Sequence, residues 1–343
     1  MDPGGLIAGL VMVLGTGAAS WDILAQRRRS WRQIAQRLGA SYRPQGLLFI
    51  PPSHTIAGEL EGVPVTVDLS SQRTEPLSHP GMCTRVSVMG RGLGRGRLCA
   101  TAGRVDRLAR ASGGHDLAVG TRERDRVVQV AAEVPAQARA WLDEPVLDVL
   151  LACPRWLLAI DGPAITLTCP DFITDVDEVV AAVRAAIVVA GAGSRWRARW
   201  DATAARLGAS GVDDLRYEVR RGGMRASMDV AGDASATLLR VELPRVDGLE
   251  LAIVRDAAEA PRKLLPVSAG DYVLRANDPE AARARVSAPI LALLAEVRPR
   301  RVIIEGDLAS VVLDGAEPDE ARVRAALMLL EALAPRAADS PYR

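Results

Sequence analysis

At 343 residues, 49% hydrophobic and 25% charged, the chain is long enough for two domains that each bury a core, and its composition is globular rather than disordered. Forty-three basic residues against 42 acidic ones leave a net charge of +1, which removes any whole-molecule field for attracting nucleic acid. Four cysteines without a Cys-x-x-Cys spacing exclude a zinc ribbon or thioredoxin-type site, and aromatics at 3% leave the core to Val, Leu, Ile and Ala.

Gly4 to Trp21 carries no charge and as a helix would span about 27 Å, enough to cross a thin bilayer core. Trp21 stands where an interfacial aromatic would, and Arg27, Arg28, Arg29 and Arg32 follow. By the positive-inside rule these arginines stay in the cytoplasm. Residues 1–29 are therefore expected to be an anchor with a basic juxtamembrane segment, the lipid bilayer being met through residues 4–21. A cleaved signal peptide and a buried helix of a soluble domain are the alternatives to the anchor, the signal peptide being the stronger. It lacks positive charge before the apolar run, but Ala18-Ala19-Ser20 supplies small residues for cleavage.

A helix is predicted from Trp31 to about Leu38, stopping at Gly39. Tyr42 to Ser53, with Pro44, Pro51 and Pro52, reads as loop. Ile56–Glu61 and Val63–Leu69 form a predicted hairpin, and Arg85–Met89 with Arg97–Ala102 a second one around Gly90-Arg-Gly-Leu-Gly-Arg-Gly96. A strand near Val127–Ala131 precedes helices at Ala136–Leu142 and Val146–Leu150, split by Pro145. A hairpin follows around Asp161-Gly162. Thr174, with Asp177 three residues on, reads as the capping start of a helix ending near Ala190.

The plan then repeats. Trp31, Ala35, Arg37 and Leu38–Ser41 recur as Trp200, Ala204, Arg206 and Leu207–Ser210; Pro145 recurs as Pro289. The second copy reads as a helix at Trp196–Leu207, strands near 215–220, 224–230, 237–243, 249–254 and 272–275, and helices from Pro279 and Pro289. A hairpin at 301–313 and a helix at Asp319–Ala334 complete it. Hairpins punctuated by helices, without strand–helix alternation, imply an α+β fold with a largely antiparallel sheet, duplicated. The expected domains are 30–190 and 194–334, joined by Gly191-Ala192-Gly193, with 335–343 a disordered tail.

Candidate chemistry is sparse. Arg91, Arg95 and Arg97 around the glycine-rich segment offer a weak anion clamp. The segment does not lie between a strand and a helix, however, and reads as a turn, as does Pro244–Gly248 in the second copy. His54, His79 and His115 lack metal-ligand spacing, and no cofactor, metal or catalytic set is expected. Asp171, Asp175, Asp177 and Glu178 suit a helix N-terminus rather than calcium. Cys83 with Cys99, and Cys153 with Cys169, would face across hairpins and suit disulfides in an oxidising compartment; small apolar strand residues are the plainer reading. Trp196 and Trp200, interleaved with Arg195, Arg197 and Arg199, are expected to pack against the sheet. The functional expectation is a membrane-anchored, non-catalytic tandem-domain scaffold or binding protein. It would face the cytoplasm at a bacterial inner membrane and engage a protein partner but no nucleic acid. The alternatives are an enzyme or small-ligand binder working between the repeats, and an exported envelope protein.

Overall fold

The computed structural model describes residues 25–45, 53–70, 83–90, 96–102, 115–116, 127–213, 215–221, 224–231, 236–243, 248–255, 265–269 and 272–334. The apolar stretch 4–21 and the tail 335–343 lie outside these residues. Among the described residues no helix is long and apolar enough to cross a membrane.

The first repeat opens with helix α1 (25–37) and strands β1 (Ser41–Gln45), β2 (Ser53–Leu60), β3 (Val63–Ser70), β4 (Cys83–Met89), β5 (Arg97–Thr101), β6 (His115–Asp116) and β7 (Gln129–Ala132). Helices α2 (Pro135–Trp141) and α3 (Glu144–Ala152), strands β8 (Leu157–Asp161) and β9 (Ala164–Cys169), and α4 (Val176–Ala190) complete it. The second repeat runs α5 (Ala192–Arg206), β10 (Ser210–Asp213), β11 (Arg216–Arg221), β12 (Met224–Val230), β13 (Ala236–Glu242), β14 (Leu251–Val254), β15 (Leu265–Ala269) and β16 (Tyr272–Ala276). It closes with α6 (Pro279–Arg285), α7 (Ala288–Val297), β17 (Arg301–Glu305), β18 (Leu308–Asp314) and α8 (Glu320–Leu333).

Among these residues the first sheet has the order β1-β2-β3-β4-β9-β8-β5-β7-β6 and the second β10-β11-β12-β13-β18-β17-β14-β16-β15. Each strand of the first sheet has its counterpart in the same place in the second, and every pairing is antiparallel. The fold is α+β, built from two similar sheet units.

Two expected hairpins are corrected. β4 and β5 are not partners, because the β8–β9 hairpin inserts between them; β13 and β14 are separated by β17–β18 in the same way. The glycine-rich segment is therefore a crossover. Gly90 N donates to Pro163 O, and Gly162 N to Gly96 O, so its two ends flank the β8–β9 turn. Alternating apolar residues define a strand's faces but not its neighbour, and local pairing was the wrong default here. The stretch read as loop after Tyr42 holds β1, which pairs Pro44 with His54 at the edge of the sheet. There the missing proline N–H costs no ladder bond. The helix cap moves by one residue, since Asp175 rather than Thr174 accepts from Asp177 N and Glu178 N.

β14 is buried on both faces, as is most of β7, while helices cover one face of the strands at the centre of each sheet. α4 packs over β3, β4 and β9, burying Val179, Val183 and Ala186; α8 packs over β13 and β18 and alongside α7. Gly58 of β2 admits the turn after α1: a Cβ there would sit 2.7 Å from Ala40 Cβ. By their contacts the described residues divide into two compact units at Ala192/Gly193, except that Val134–Trp141, which contains α2, groups with the second unit.

Candidate functional site

The most distinctive side-chain cluster gathers at the start of the first repeat. Trp31, Ile34, Ala35 and Leu38 recur at helical spacing and form the buried face of α1. Arg28, Arg29, Arg32, Gln33, Gln36 and Arg37 are exposed. Arg37 pairs with Asp177 at the start of α4. Arg27 lies between the two faces, its guanidinium carbon 4.4 Å from the centroid of the Phe172 ring, a cation–π geometry.

Beneath Arg27 the rings converge. Trp31 and Phe172 stack with centroids 6.3 Å apart, and His54 sits 5.4 Å from Trp31 and 5.9 Å from Tyr42. Tyr42 Oη and His54 Nδ1 are hydrogen-bonded at 2.8 Å. His54 is 1% exposed. Burial, reinforced by the positive charges of Arg28 and Arg27, lowers its pKa from the ordinary 6.5, so the neutral imidazole is favoured. Burial raises the Tyr42 pKa, with Arg28 and Arg32 pulling the other way. The indole Nε1 of Trp31 is buried and has no hydrogen-bond partner among the described residues.

The second repeat shows what the fold does without this cluster. Equivalent positions follow from the shared register. Thr84 Oγ1 donates to Asp171 O in the first sheet, and Thr237 Oγ1 to Gly315 O in the second, so Phe172 corresponds to Ala316. Likewise Tyr42 corresponds to Gly211, and His54, two residues before Ile56, to Leu215, two before Tyr217. Arg27 stands where Trp196 stands. In the second repeat the Nε1 atoms of Trp196 and Trp200 both donate at 2.8 Å to the single carbonyl of Ala316, which uses both lone pairs. A small residue with two indoles on its carbonyl is thus replaced by a phenylalanine between an indole and a guanidinium. Trp196 and Trp200 are fully buried, in agreement with the expected packing role.

Among the other predicted residues, Trp21, Arg91, Arg95 and His79 lie outside those described. Arg97 is exposed and pairs with Asp161 across the β5–β8 ladder at 3.3 Å. His115 and Asp116 form β6 against Ala132 and Ala131. The acidic residues have structural partners: Asp175 caps α4, while Asp171 and Glu178 share Arg155 at 2.7 and 3.1 Å. All four cysteines are free, as the plainer reading has it, and neither disulfide of the alternative reading is formed. Cys83 and Cys99 lie on strands separated by β9 and β8, so they do not face each other across a hairpin. Burial raises the thiol pKa of Cys99, Cys153 and Cys169, leaving them poor nucleophiles. Among the described residues no group of three or more His, Cys, Asp or Glu is placed to hold a metal ion.

No family model matches the sequence, and no curated protein matches it. Among solved structures, the chain is similar to the crystal structure of the mycobacterial trehalose monomycolate transport factor A, TtfA. The identity is 14% and the TM-score 0.33, over 40% of this chain and 96% of that one. The likeness is too slight to carry fold or function across.

The aromatic–basic cluster was only partly legible in the sequence. Arg27 to Arg32 stood out as a charge run and Trp31 as a repeat marker. His54, expected as a surface loop histidine, is instead buried in β2, and Phe172 gave no signal; they are 118 positions apart in the chain and brought together by the sheet order.

Proposed function

We propose that this protein is a non-catalytic tandem-domain binding protein. Residues 4–21 hold it at a membrane, its two units lie on the cytoplasmic side, and the first unit engages a protein partner near that surface. One observation carries the reading. The arginines at 28, 29 and 32 are exposed along α1 immediately after the apolar stretch, while the opposite face of the same helix is buried. Exposed guanidinium groups at that point suit anionic headgroups, each contributing on the order of 1 kcal/mol near the surface. Support for binding by the first unit comes from its Arg27–Phe172–His54 cluster, which the second unit replaces with plain packing.

The test is topology. A compartment-sensitive reporter fused after Arg343 is compared with and without residues 1–26. A cytoplasmic signal that fractionates with membranes only when residues 1–26 are present is the expected result. An exported signal, or membrane retention without residues 1–26, overturns the proposal.

A further inference from the structure

The second unit carries a basic feature that the first unit lacks. A cleft of about 640 Å³ opens where the C-terminal end of α7 meets β14 and β18, within the size range of small-molecule sites. Its charged lining is four arginines, 139, 255, 298 and 322, against Glu296 and Asp314, a surplus of two positive charges. Two of these guanidinium groups are held rigidly. Arg255 donates to Pro299 O and Arg298 O and pairs with Asp314; Arg322 donates to Val297 O and Arg298 O. Such groups lose little rotamer freedom when an oxyanion binds. Arg139, from α2, is exposed and lines the same cleft.

The first unit acts as an internal control. By the same register, Arg255, Arg298 and Arg322 are replaced there by Ala102, Pro154 and Glu178, so the fold itself does not need a basic cleft. An apolar track adjoins it. Ala288, Leu291, Ala292 and Ala295 of α7 are exposed at i, i+3, i+4 and i+7, and Ala295 also lines the cleft. The track is roughly 10 Å long and one helix face wide. That is small against the ~800 Å² per partner of a stable protein interface, but it matches a single alkyl chain.

We propose that this cleft and track bind one anionic amphiphile, a fatty-acid-like molecule with its carboxylate among Arg139, Arg255 and Arg322 and its chain along Ala295, Leu291 and Ala288. The experiment is calorimetric titration of the full chain with dodecanoate below its micelle concentration, beside acetate and an uncharged sugar-headed detergent of the same chain length. One-to-one binding of dodecanoate is expected, with acetate and the uncharged detergent each at least tenfold weaker. Arg139→Glu should weaken dodecanoate at least tenfold, and Leu291→Gln severalfold; both side chains are exposed, so an unchanged circular dichroism spectrum is the check on folding. Absent dodecanoate binding overturns the proposal. So does binding that Arg139→Glu leaves unchanged, or equal binding of the uncharged detergent.

Discussion

The two repeats share one strand order but solve the same corner differently. In the second, Ala316 is small, and its carbonyl accepts from two buried indoles. In the first, Phe172 fills that space, Arg27 takes the place of Trp196, and Trp31 keeps a buried N–H without an acceptor among the described residues. A buried donor left unmade costs about 1–3 kcal/mol. The second repeat avoids that cost at Trp200, whose N–H reaches Ala316 O. Charge reverses as well: Glu178, which holds Arg155 in the first repeat, corresponds to Arg322, which caps α7 in the second. A duplicated fold has thus kept its ladder and diverged where helices meet strand ends.

The sharpest way to break this contrast is Ala316→Phe. A ring at a position 1% exposed must displace Trp196 or Trp200, so a loss of about 3 kcal/mol is expected in denaturant unfolding. Adding Trp196→Arg rebuilds the first repeat's arrangement and should recover part of that loss. Gly58→Ala comes next, at about 2 kcal/mol, since its methyl would meet Ala40 Cβ at 2.7 Å. The equivalent change in the second repeat, Val219→Ala, removes volume instead, so the two variants should fail in opposite ways, by clash and by cavity.

A smaller effect separates the two tryptophans. Trp200→Phe gives up a hydrogen bond to Ala316 O, whereas Trp31→Phe removes an unpartnered donor. The first should cost about 1 kcal/mol more than the second in parallel melts, and equal losses would argue against the distinction. Acidification is a fourth test. The depressed pKa of His54 means that below about its ordinary 6.5 the unfolded chain takes up a proton that the folded chain resists. Stability should therefore fall as pH drops from about 6.5 toward the folded value. His54→Leu, the residue of the second repeat, should remove that component of the pH dependence. The smallest expected effect on stability is that of Arg28→Glu, Arg29→Glu and Arg32→Glu together: near zero in melts, with weakened membrane fractionation.

Much of this architecture was present in the sequence. The recurrence of Trp31 to Ser41 as Trp200 to Ser210 revealed the duplication, because one fold keeps one pattern of buried positions. Alternation in Val63–Leu69 and the 3.6-residue spacing in Asp319–Ala334 located strands and helices, because each period places apolar side chains on one face. The tight hairpins β2–β3, β8–β9 and β17–β18 were legible in the sequence, whereas which strands are neighbours beyond them was decided only by the tertiary structure. Inserting β8–β9 between β4 and β5 is a long-range pairing with no local signature, and it rules out the alternative in which Cys83 faces Cys99 across a hairpin. The same is true of Phe172 under Arg27 and of α2 lining a cleft in the second unit. Local periodicity records which face of an element is buried; what it is buried against depends on chain closure over more than a hundred residues, and only the fold specifies that.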